Sequence, residues 1–240
     1  MTVPSNQLPA RLGGGEMFNR IARRYDRMNS LLSLGLHHSW RRQLVAGLGT
    51  LGPNDRVLDV ASGTADVALE VLKTHDGVSV VGLDPSDGML SIGRDKAKDR
   101  GVSERLELIV GDVQAMDFPD DHFAGATISF GIRNVPDRDK GLSEMVRVTR
   151  PGGRICVLEL GVPRSGILAP FARLHMRFIV PWLGALLAGD KEYRYLQESI
   201  EAFPAPEEFQ EMMERAGLTN VTVTPQTFGA AHLYVGEVIG

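Results

Sequence analysis

The sequence is poor in cysteine and has no excess of positive charge. Cys156 is the only cysteine among 240 residues, so no internal disulfide can form and a reducing cytoplasm is the expected location. Acidic residues outnumber Lys plus Arg by 30 to 26. The broad basic field that drives non-specific nucleic-acid binding is therefore missing, and we expect no nucleic-acid partner. No metal site is expected, and no apolar run near the N-terminus indicates a secretory signal.

A chain of this length can form one domain with a sizeable core. We expect residues 1–15 to be a flexible N-terminal tail, because they include two prolines and a glycine triplet. Residues 16–240 are expected to form a single domain. From Met17 onward, apolar residues recur at spacings of three and four. This pattern predicts helices over residues 16–51, which precede the first strand and can cover a ligand pocket.

Three short apolar segments each carry an acidic residue at or near their end, and a turn follows each segment. They are residues 56–61 (RVLDVA), 80–84 (VVGLD) and 106–112 (LELIVGD). Val, Leu and Ile without polar alternation are typical of parallel strands buried on both faces, and helical patterns separate the segments. The series predicts an α/β fold with a doubly wound, mostly parallel sheet.

The second half of the chain continues the same alternation. Residues 125–130 and 154–160 are the predicted fourth and fifth strands, with a helix over residues 137–149 between them. A turn at residues 151–153 (PGG) is expected to separate that helix from the fifth strand. Residues 221–224 and 232–238 are close enough along the chain to pair as a hairpin-like edge.

The acidic residues at the strand ends indicate the kind of ligand. Parallel strands in such a sheet end at one crevice, so Asp59, Asp84 and Asp112 should converge there. The first turn keeps a single glycine, Gly63, and Asp66 follows it. Carboxylates on both sides of the turn would repel the pyrophosphate of NAD but attract a sulfonium cation, which favours S-adenosylmethionine as the cofactor. The alternative is that the three aspartates only cap the helices that follow them.

An apolar stretch at residues 167–187 follows the fifth strand and is longer than a simple connection needs. Pro170, Pro181 and two arginines argue against a transmembrane helix. Two explanations stay open. The stretch could line a site for an apolar acceptor, or it could be an additional core helix packed on the sheet.

Several segments of the chain resemble one known family, the ubiquinone/menaquinone biosynthesis C-methyltransferases, over nearly all of residues 17–234. They are residues 17–29 (MFNRIARRYDRMN), 40–42 (WRR), 57–64 (VLDVASGT), 130–135 (FGIRNV) and 195–200 (YLQESI) with residues 203–204 (FP) after them. Two residues depart from the family's usual pattern: Ala65 stands at a glycine position and His38 at a position that is often arginine.

The resemblance implies a class I S-adenosylmethionine-dependent methyltransferase with a Rossmann-like, seven-stranded sheet. It further implies N-terminal covering helices and a helical acceptor-site insertion at residues 163–205, after strand five. The expected activity is C-methylation of a prenylated quinol, most directly demethylmenaquinol, in menaquinone or ubiquinone biosynthesis. A homodimer and a peripheral contact with the inner face of the membrane are left open.

The resemblance also assigns positions around the cofactor. Thr64 is expected near the methionine moiety, Asp84 at the ribose, Asp112 and Val113 around the adenine, and Ser129 beneath the sulfonium. Tyr25 is a lid contact on a covering helix. The complete predicted cofactor-binding set is Tyr25, Asp59, Ser62, Gly63, Thr64, Asp84, Pro85, Asp112, Val113 and Ser129.

Arg133 and Asn134 are the predicted catalytic residues. An arginine cannot readily accept a proton at neutral pH, but it can stabilise a forming phenolate and orient a water molecule. The alternative for Arg133 is a structural salt bridge to Asp137 or Glu159. Two further functions stay open: a cofactor-binding scaffold without turnover, which Ala65 invites, and a methyltransferase for another small apolar acceptor.

Overall fold

The computed structural model describes residues 30, 33, 35–161 and 190–239, with the backbone alone at residues 190–194. The predicted tail, Tyr25, most of the segment before residue 35 and residues 163–189 of the predicted insertion lie outside the described residues.

The described residues form one sheet of seven strands in the order β3-β2-β1-β4-β5-β7-β6. The strands are β1 (Arg56–Val60), β2 (Ser79–Asp84), β3 (Leu106–Val110), β4 (Phe123–Ser129), β5 (Thr149–Leu160), β6 (Leu218–Gln226) and β7 (Ala231–Val238). Strands β1 to β5 pair in parallel, whereas β7 is antiparallel to both β5 and β6. The doubly wound, mostly parallel architecture expected from the sequence is confirmed.

Six α-helices connect the strands in the described part of the chain. They are α1 (His37–Gly47), α2 (Asp66–Thr74), α3 (Asp87–Asp99), α4 (Arg138–Val148), α5 (Asp190–Glu201) and α6 (Pro206–Arg215). Helix α4 matches its prediction because Asp137 caps it, accepting a hydrogen bond from the backbone N–H of Lys140 at 3.0 Å.

Successive residues along each central strand enter two different hydrophobic cores. Val57 packs with Leu44 of α1 and Leu69 of α2, whereas Leu58 packs with Leu142 of α4 and Phe209 of α6. Neighbouring side chains on a strand point to opposite faces, so helices cover both faces of the sheet. The apolar strands predicted from composition therefore have a packing partner on each side.

The predicted turn at residues 151–153 is wrong as a boundary between helix and strand. Strand β5 already begins at Thr149, which pairs with Phe123, and the next pair joins Gly125 to Arg154. Residues 150–153 thus form a bulge in β5, where Gly152 has a φ of +74°. Pro151 and the two glycines after it therefore interrupt the pairing within the strand and do not precede it.

The terminal strands pair in antiparallel orientation and form one end of the sheet, as predicted. Strand β7 lies between β5 and β6, with Cys156 opposite Val235 in the β5–β7 ladder. Strand β6 forms the edge at this end of the sheet, and β3 forms the opposite edge. Cys156 is fully buried, as expected for a small core residue.

Candidate active site

The turn after β1 is built on the carboxylate of Asp59. Its Oδ2 accepts from the hydroxyl of Ser62 at 2.7 Å and its Oδ1 accepts from the hydroxyl of Thr127 on β4 at 2.8 Å. Asp59 is almost completely buried. Burial raises the pKa of Asp59 to about 6, although both hydroxyl groups oppose the shift. Asp59 therefore joins the ends of β1 and β4 beneath the turn.

Asp84, at the end of β2, holds the next part of the same turn. Its Oδ2 accepts from the backbone N–H of Gly63 and its Oδ1 accepts from the backbone N–H of Ser86, both at 2.8 Å. Burial raises the pKa of Asp84, and the two backbone N–H groups oppose the shift. Asp59, Ser62, Gly63 and Asp84 thus form one hydrogen-bonded group at the carboxyl ends of adjacent strands.

The alternative that the aspartates cap the following helices is wrong for Asp84 and α3, but it holds in part for Asp59, whose carboxylate also accepts from the backbone N–H of Ala68 in the first turn of α2. The residue that caps α3 is Ser86, whose Oγ accepts from the backbone N–H of Met89. Ala65 occupies the cap position of α2 and makes no side-chain bond there. Asp84 is therefore available to shape a ligand crevice, whereas Asp59 is bonded within the turn and to the start of α2.

Asp112, Val113 and Pro85 lie around this group with different exposures. Asp112 is exposed, and its Oδ1 accepts from the backbone N–H of Gln114 at 2.9 Å. Val113 is buried and Pro85 is exposed. The backbone N–H of Gly111 donates to the carbonyl of Asp84 at 3.2 Å, which brings the turn after β3 against the end of β2.

The backbone itself is unusual at the ends of β1 and β4. Ala61, Gly63, Ala65 and Phe130 all have φ between +49° and +62°. Alanine and phenylalanine resist this left-handed region, so the two loops store strain at the crevice. For Ala65, φ is +62° and ψ is +23°, a conformation that suits the glycine usual in the family.

The hydroxyl group of Ser129 indicates what kind of cofactor the crevice fits. Its Oγ is buried, and no partner for it exists among the described residues. Residue 128, just before it, pairs with Val60 of β1, so Ser129 lies beside the turn that Asp59 supports. A buried hydroxyl in need of a partner, at the same end of the sheet as the buried carboxylates of Asp59 and Asp84, fits a polar and positively charged ligand such as S-adenosylmethionine.

One ionic group at this site was missed by the sequence analysis. Asp66 forms salt bridges with two cations: its Oδ2 lies 2.8 Å from Arg41 Nη1, and its Oδ1 lies 2.7 Å from Lys96 Nζ. The expectation that Asp66 adds negative charge to the turn therefore needs correction, since two cations neutralise it. The negative charge at the crevice belongs to Asp59 and Asp84. Lys96 also donates to the hydroxyl of Thr64 at 2.8 Å.

Arg133 makes the salt bridge that was the alternative to its catalytic role. Its Nη1 lies 2.6 Å from Oε1 of Glu159, and both side chains are buried. The same Nη1 donates to the carbonyl of Phe130 at 2.6 Å, and the backbone N–H of Arg133 donates to Oε2 of Glu159 at 3.2 Å. The pair anchors the turn after β4 to the end of β5.

Asn134 follows on the same turn and faces α5. Its Oδ1 accepts from the hydroxyl of Tyr195 at 3.0 Å. Burial raises the pKa of Tyr195, so the hydroxyl stays protonated and keeps donating. With its oxygen engaged, Asn134 has amide hydrogens to offer to a ligand.

A cavity of about 470 Å³ lies beside this turn, at the ends of β5 and β7. Its walls include Leu160, Ile200, Phe203, Phe228, His232 and Tyr234. The size is within the usual range for small-molecule sites, and Glu201 and Glu207 add polar surface to these mostly apolar or aromatic side chains.

The family of the chain is decided by its sequence relatives. The profile of the ubiE/COQ5 methyltransferase family matches residues 10–237. The chain belongs to this family. A demethylmenaquinone methyltransferase from Thermus thermophilus is 44% identical over 222 residues, covering 92% of this chain and 99% of the relative. A ubiquinone/menaquinone biosynthesis C-methyltransferase UbiE from Geobacter sulfurreducens is 43% identical over 223 residues, covering 92% and 87%.

Solved structures confirm the fold. A phosphoethanolamine N-methyltransferase 2 from Haemonchus contortus, in complex with S-adenosyl-L-methionine, has a TM-score of 0.64 at 14% identity and covers 84% of this chain and 53% of that one. The [4+2]-cyclase SpnF has a TM-score of 0.65 at 17% identity, with 99% of both chains covered. Because one of these proteins is a cyclase, the family and the site, not the fold, must indicate the reaction.

Within the described ranges, no helix has the length and apolar character needed to span a bilayer. The same part of the chain contains no group of three His, Cys, Asp or Glu side chains placed to hold a metal ion.

Proposed function

We propose that this protein transfers the methyl group of S-adenosylmethionine to a ring carbon of a prenylated quinol, with demethylmenaquinol as the acceptor. The observation that carries the proposal is the pair of buried carboxylates, Asp59 and Asp84, at the ends of adjacent strands. A negative, largely dehydrated site favours a sulfonium cation over a pyrophosphate. The quinol is inferred from relatives that are more than 40% identical and named for quinone biosynthesis.

S-adenosylmethionine supplies an electrophilic methyl group when it is bound. On the protein side, Asp84 accepts from the ribose hydroxyls with the lone pairs that the two backbone N–H groups leave, and Asp112 and Val113 flank the adenine. Gly63, Thr64 and Pro85 shape the turn around the ligand, above Asp59 and Ser62. Ser129 offers its hydroxyl beneath the sulfonium. These assignments follow the resemblance to the family, and they agree with the position of each residue at or just after the end of a strand.

Methylation of a ring carbon needs electron density from a quinol hydroxyl that loses its proton to water in the site. After the methyl group has moved from sulfur to carbon, the same ring carbon releases its hydrogen as a proton to water, which restores the aromatic ring and leaves S-adenosylhomocysteine as the other product. The amide hydrogens of Asn134 donate to the quinol oxygen and stabilise the forming phenolate. Arg133 adds positive potential, but Glu159 compensates much of its charge. Arg133 therefore acts chiefly by holding the turn that carries Asn134.

The apolar and aromatic part of the wall of the 470 Å³ cavity suits a prenylated acceptor. Phe228 is 55% exposed, so its replacement does not create a core cavity. In Phe228→Asn, the asparagine also tolerates the left-handed backbone found there, where φ is +59°. We expect this variant to raise KM for the quinol and to leave cofactor affinity unchanged. Ile239→Asn, at a similarly exposed apolar residue away from the cavity, is the matched control.

The activity is tested with cofactor labelled at its methyl group and demethylated naphthoquinol or benzoquinol in detergent. Label in the lipid extract with the naphthoquinol is the expected result. Binding of the cofactor by calorimetry with no label in either lipid would instead identify a scaffold without turnover.

Asn134→Ala separates catalysis from binding in the same assay. Turnover should fall about 100-fold, the loss typical of one electrostatic donor, while the Kd for the cofactor stays the same. Lys140→Ala, at an exposed position on α4, is the control. Normal turnover by Asn134→Ala would remove this residue from the mechanism.

The homodimer and the peripheral membrane contact stay predictions. Sedimentation equilibrium and flotation with anionic vesicles would test them separately.

A further inference from the structure

Two cationic side chains from different helices form salt bridges with one acidic residue beside the turn after β1, which we call the cofactor turn. Asp66 begins α2, and it receives Arg41 from α1 and Lys96 from α3. All three side chains are largely buried, with exposed fractions of 10% for Arg41, 20% for Asp66 and 22% for Lys96. Solvent and salt therefore screen this group less than an ion pair on the surface.

The group acts on both sides of a strained residue. Lys96 Nζ donates to Thr64 Oγ1 as well as to Asp66 Oδ1, so it bonds to the residues immediately before and after Ala65. Ala65 lies in the left-handed region, which an alanine resists by about 1–2 kcal/mol. Charge-assisted bonds of this kind are strong enough to oppose that cost.

Helix α1, which carries Arg41, is itself anchored at the other side of the crevice. The indole Nε1 of Trp40 donates to Thr227 Oγ1 at 3.0 Å, and its ring packs edge-on against Phe130 with centroids 6.3 Å apart. Arg41 is thus presented to Asp66 by a helix whose position is determined independently. Through the salt bridge between Arg41 and Asp66, the position of α1 helps to determine the position of the cofactor turn.

We propose that Arg41 and Lys96 are positioning residues for S-adenosylmethionine: they hold Thr64 and Asp66 on either side of Ala65, so that the turn keeps its left-handed, ligand-binding conformation. The inference rests on the proposed cofactor. Neither cation contacts the reacting atoms in this role. Loss of either one should weaken cofactor binding while the chemical step is retained.

The test is the affinity of the whole protein for S-adenosylhomocysteine, measured by calorimetry in Arg41→Met and Lys96→Met. We expect Kd to rise about tenfold in each, with KM for S-adenosylmethionine raised to match and kcat within about threefold of the wild type. Thermal denaturation of the same samples reports stability separately. A lower Tm with an unchanged Kd would overturn the proposal, because the cations would then be structural only.

Matched controls lie on the same two helices. Arg42 on α1 and Lys98 on α3 are exposed and have no ion pair among the described residues. Arg42→Met and Lys98→Met should leave Kd unchanged, and an equal rise in these variants would contradict the specific role of Arg41 and Lys96. If the methionine variants do not fold, Arg41→Gln and Lys96→Gln keep a hydrogen-bond donor and carry the same expectation.

Ala65→Gly tests the link between the cations and the backbone. A glycine has no resistance to the left-handed region, so Arg41→Met should weaken binding less in the Ala65→Gly background than alone. Equal losses in both backgrounds would show that Arg41 does not act through the turn. A wild-type protein that binds no S-adenosylhomocysteine would instead contradict the cofactor assignment itself, a result distinct from these.

Discussion

The carboxylate of Glu159 binds both the side chain and the backbone of Arg133. Its Oε1 lies 2.6 Å from Arg133 Nη1, and its Oε2 accepts from the Arg133 backbone N–H at 3.2 Å. Glu159 Oε1 also accepts from the backbone N–H of Leu160 at 2.8 Å. One carboxylate thus joins the turn after β4 to the end of β5. A fully buried acid with these partners is an organising element of the site.

Glu159→Gln should lower the free energy of unfolding by about 3–5 kcal/mol, because it leaves the guanidinium of Arg133 buried without its counter-charge. Urea denaturation measures this loss. The double variant Arg133→Met/Glu159→Met removes both charges and should cost less than the sum of Arg133→Met and Glu159→Met. Additive losses would show that the two residues are not energetically coupled.

Ala65→Gly should change the free energy of unfolding by less than about 1 kcal/mol. Relief of the left-handed strain at φ +62° is offset by the greater entropy of the unfolded chain and the loss of a buried methyl group. Ala65→Val should instead lower the free energy of unfolding by about 2 kcal/mol or more. A β-branched side chain resists the left-handed region, and Gly93 lies too close to residue 65 to leave room for the added methyl groups. A valine variant as stable as the wild type would contradict the backbone conformation.

Asp59→Asn should change how stability depends on pH. The pKa of Asp59 is raised from 3.8 to about 6, so the folded protein holds a proton that the unfolded chain releases. The stability from this group is present below about pH 4 and is lost as the pH rises through 6. As the pH rises from 4 to 7, the wild type should therefore lose stability relative to Asp59→Asn, which has no carboxyl group to titrate at this position. A difference that is constant with pH would exclude a raised pKa at Asp59.

Cys156 should not react with thiol reagents in the folded protein. It is fully buried, and burial raises the pKa of its thiol to about 12, so almost no thiolate forms at neutral pH. Helix α1 passes directly over it, since a methyl group at Gly47 would lie 3.0 Å from its Sγ. Labelling should follow unfolding in guanidinium chloride. Rapid labelling without denaturant would show that α1 opens.

Much of the site could be predicted because its parts lie within short segments of sequence. Asp59, Gly63 and Asp84 each stand at the end of an apolar run, and the ends of parallel strands necessarily meet. Val113 and Ser129 follow the same rule. Asp59 and Asp84 lie buried at the ends of adjacent strands, as expected, but the expectation that Asp66 adds negative charge was wrong, since charge pairing over 25 to 30 positions has no local signal.

By itself, the sequence determined which segments become strands and helices, where carboxylates stand along them, and which family the chain resembles, since periodicity and capping act over a few residues. Only the tertiary structure decided which charges neutralise one another, that β7 enters between β5 and β6, and that Ala65 takes a positive φ. Those outcomes depend on which elements become neighbours. A buried ion must find its partner wherever the packing of the sheet and helices places it.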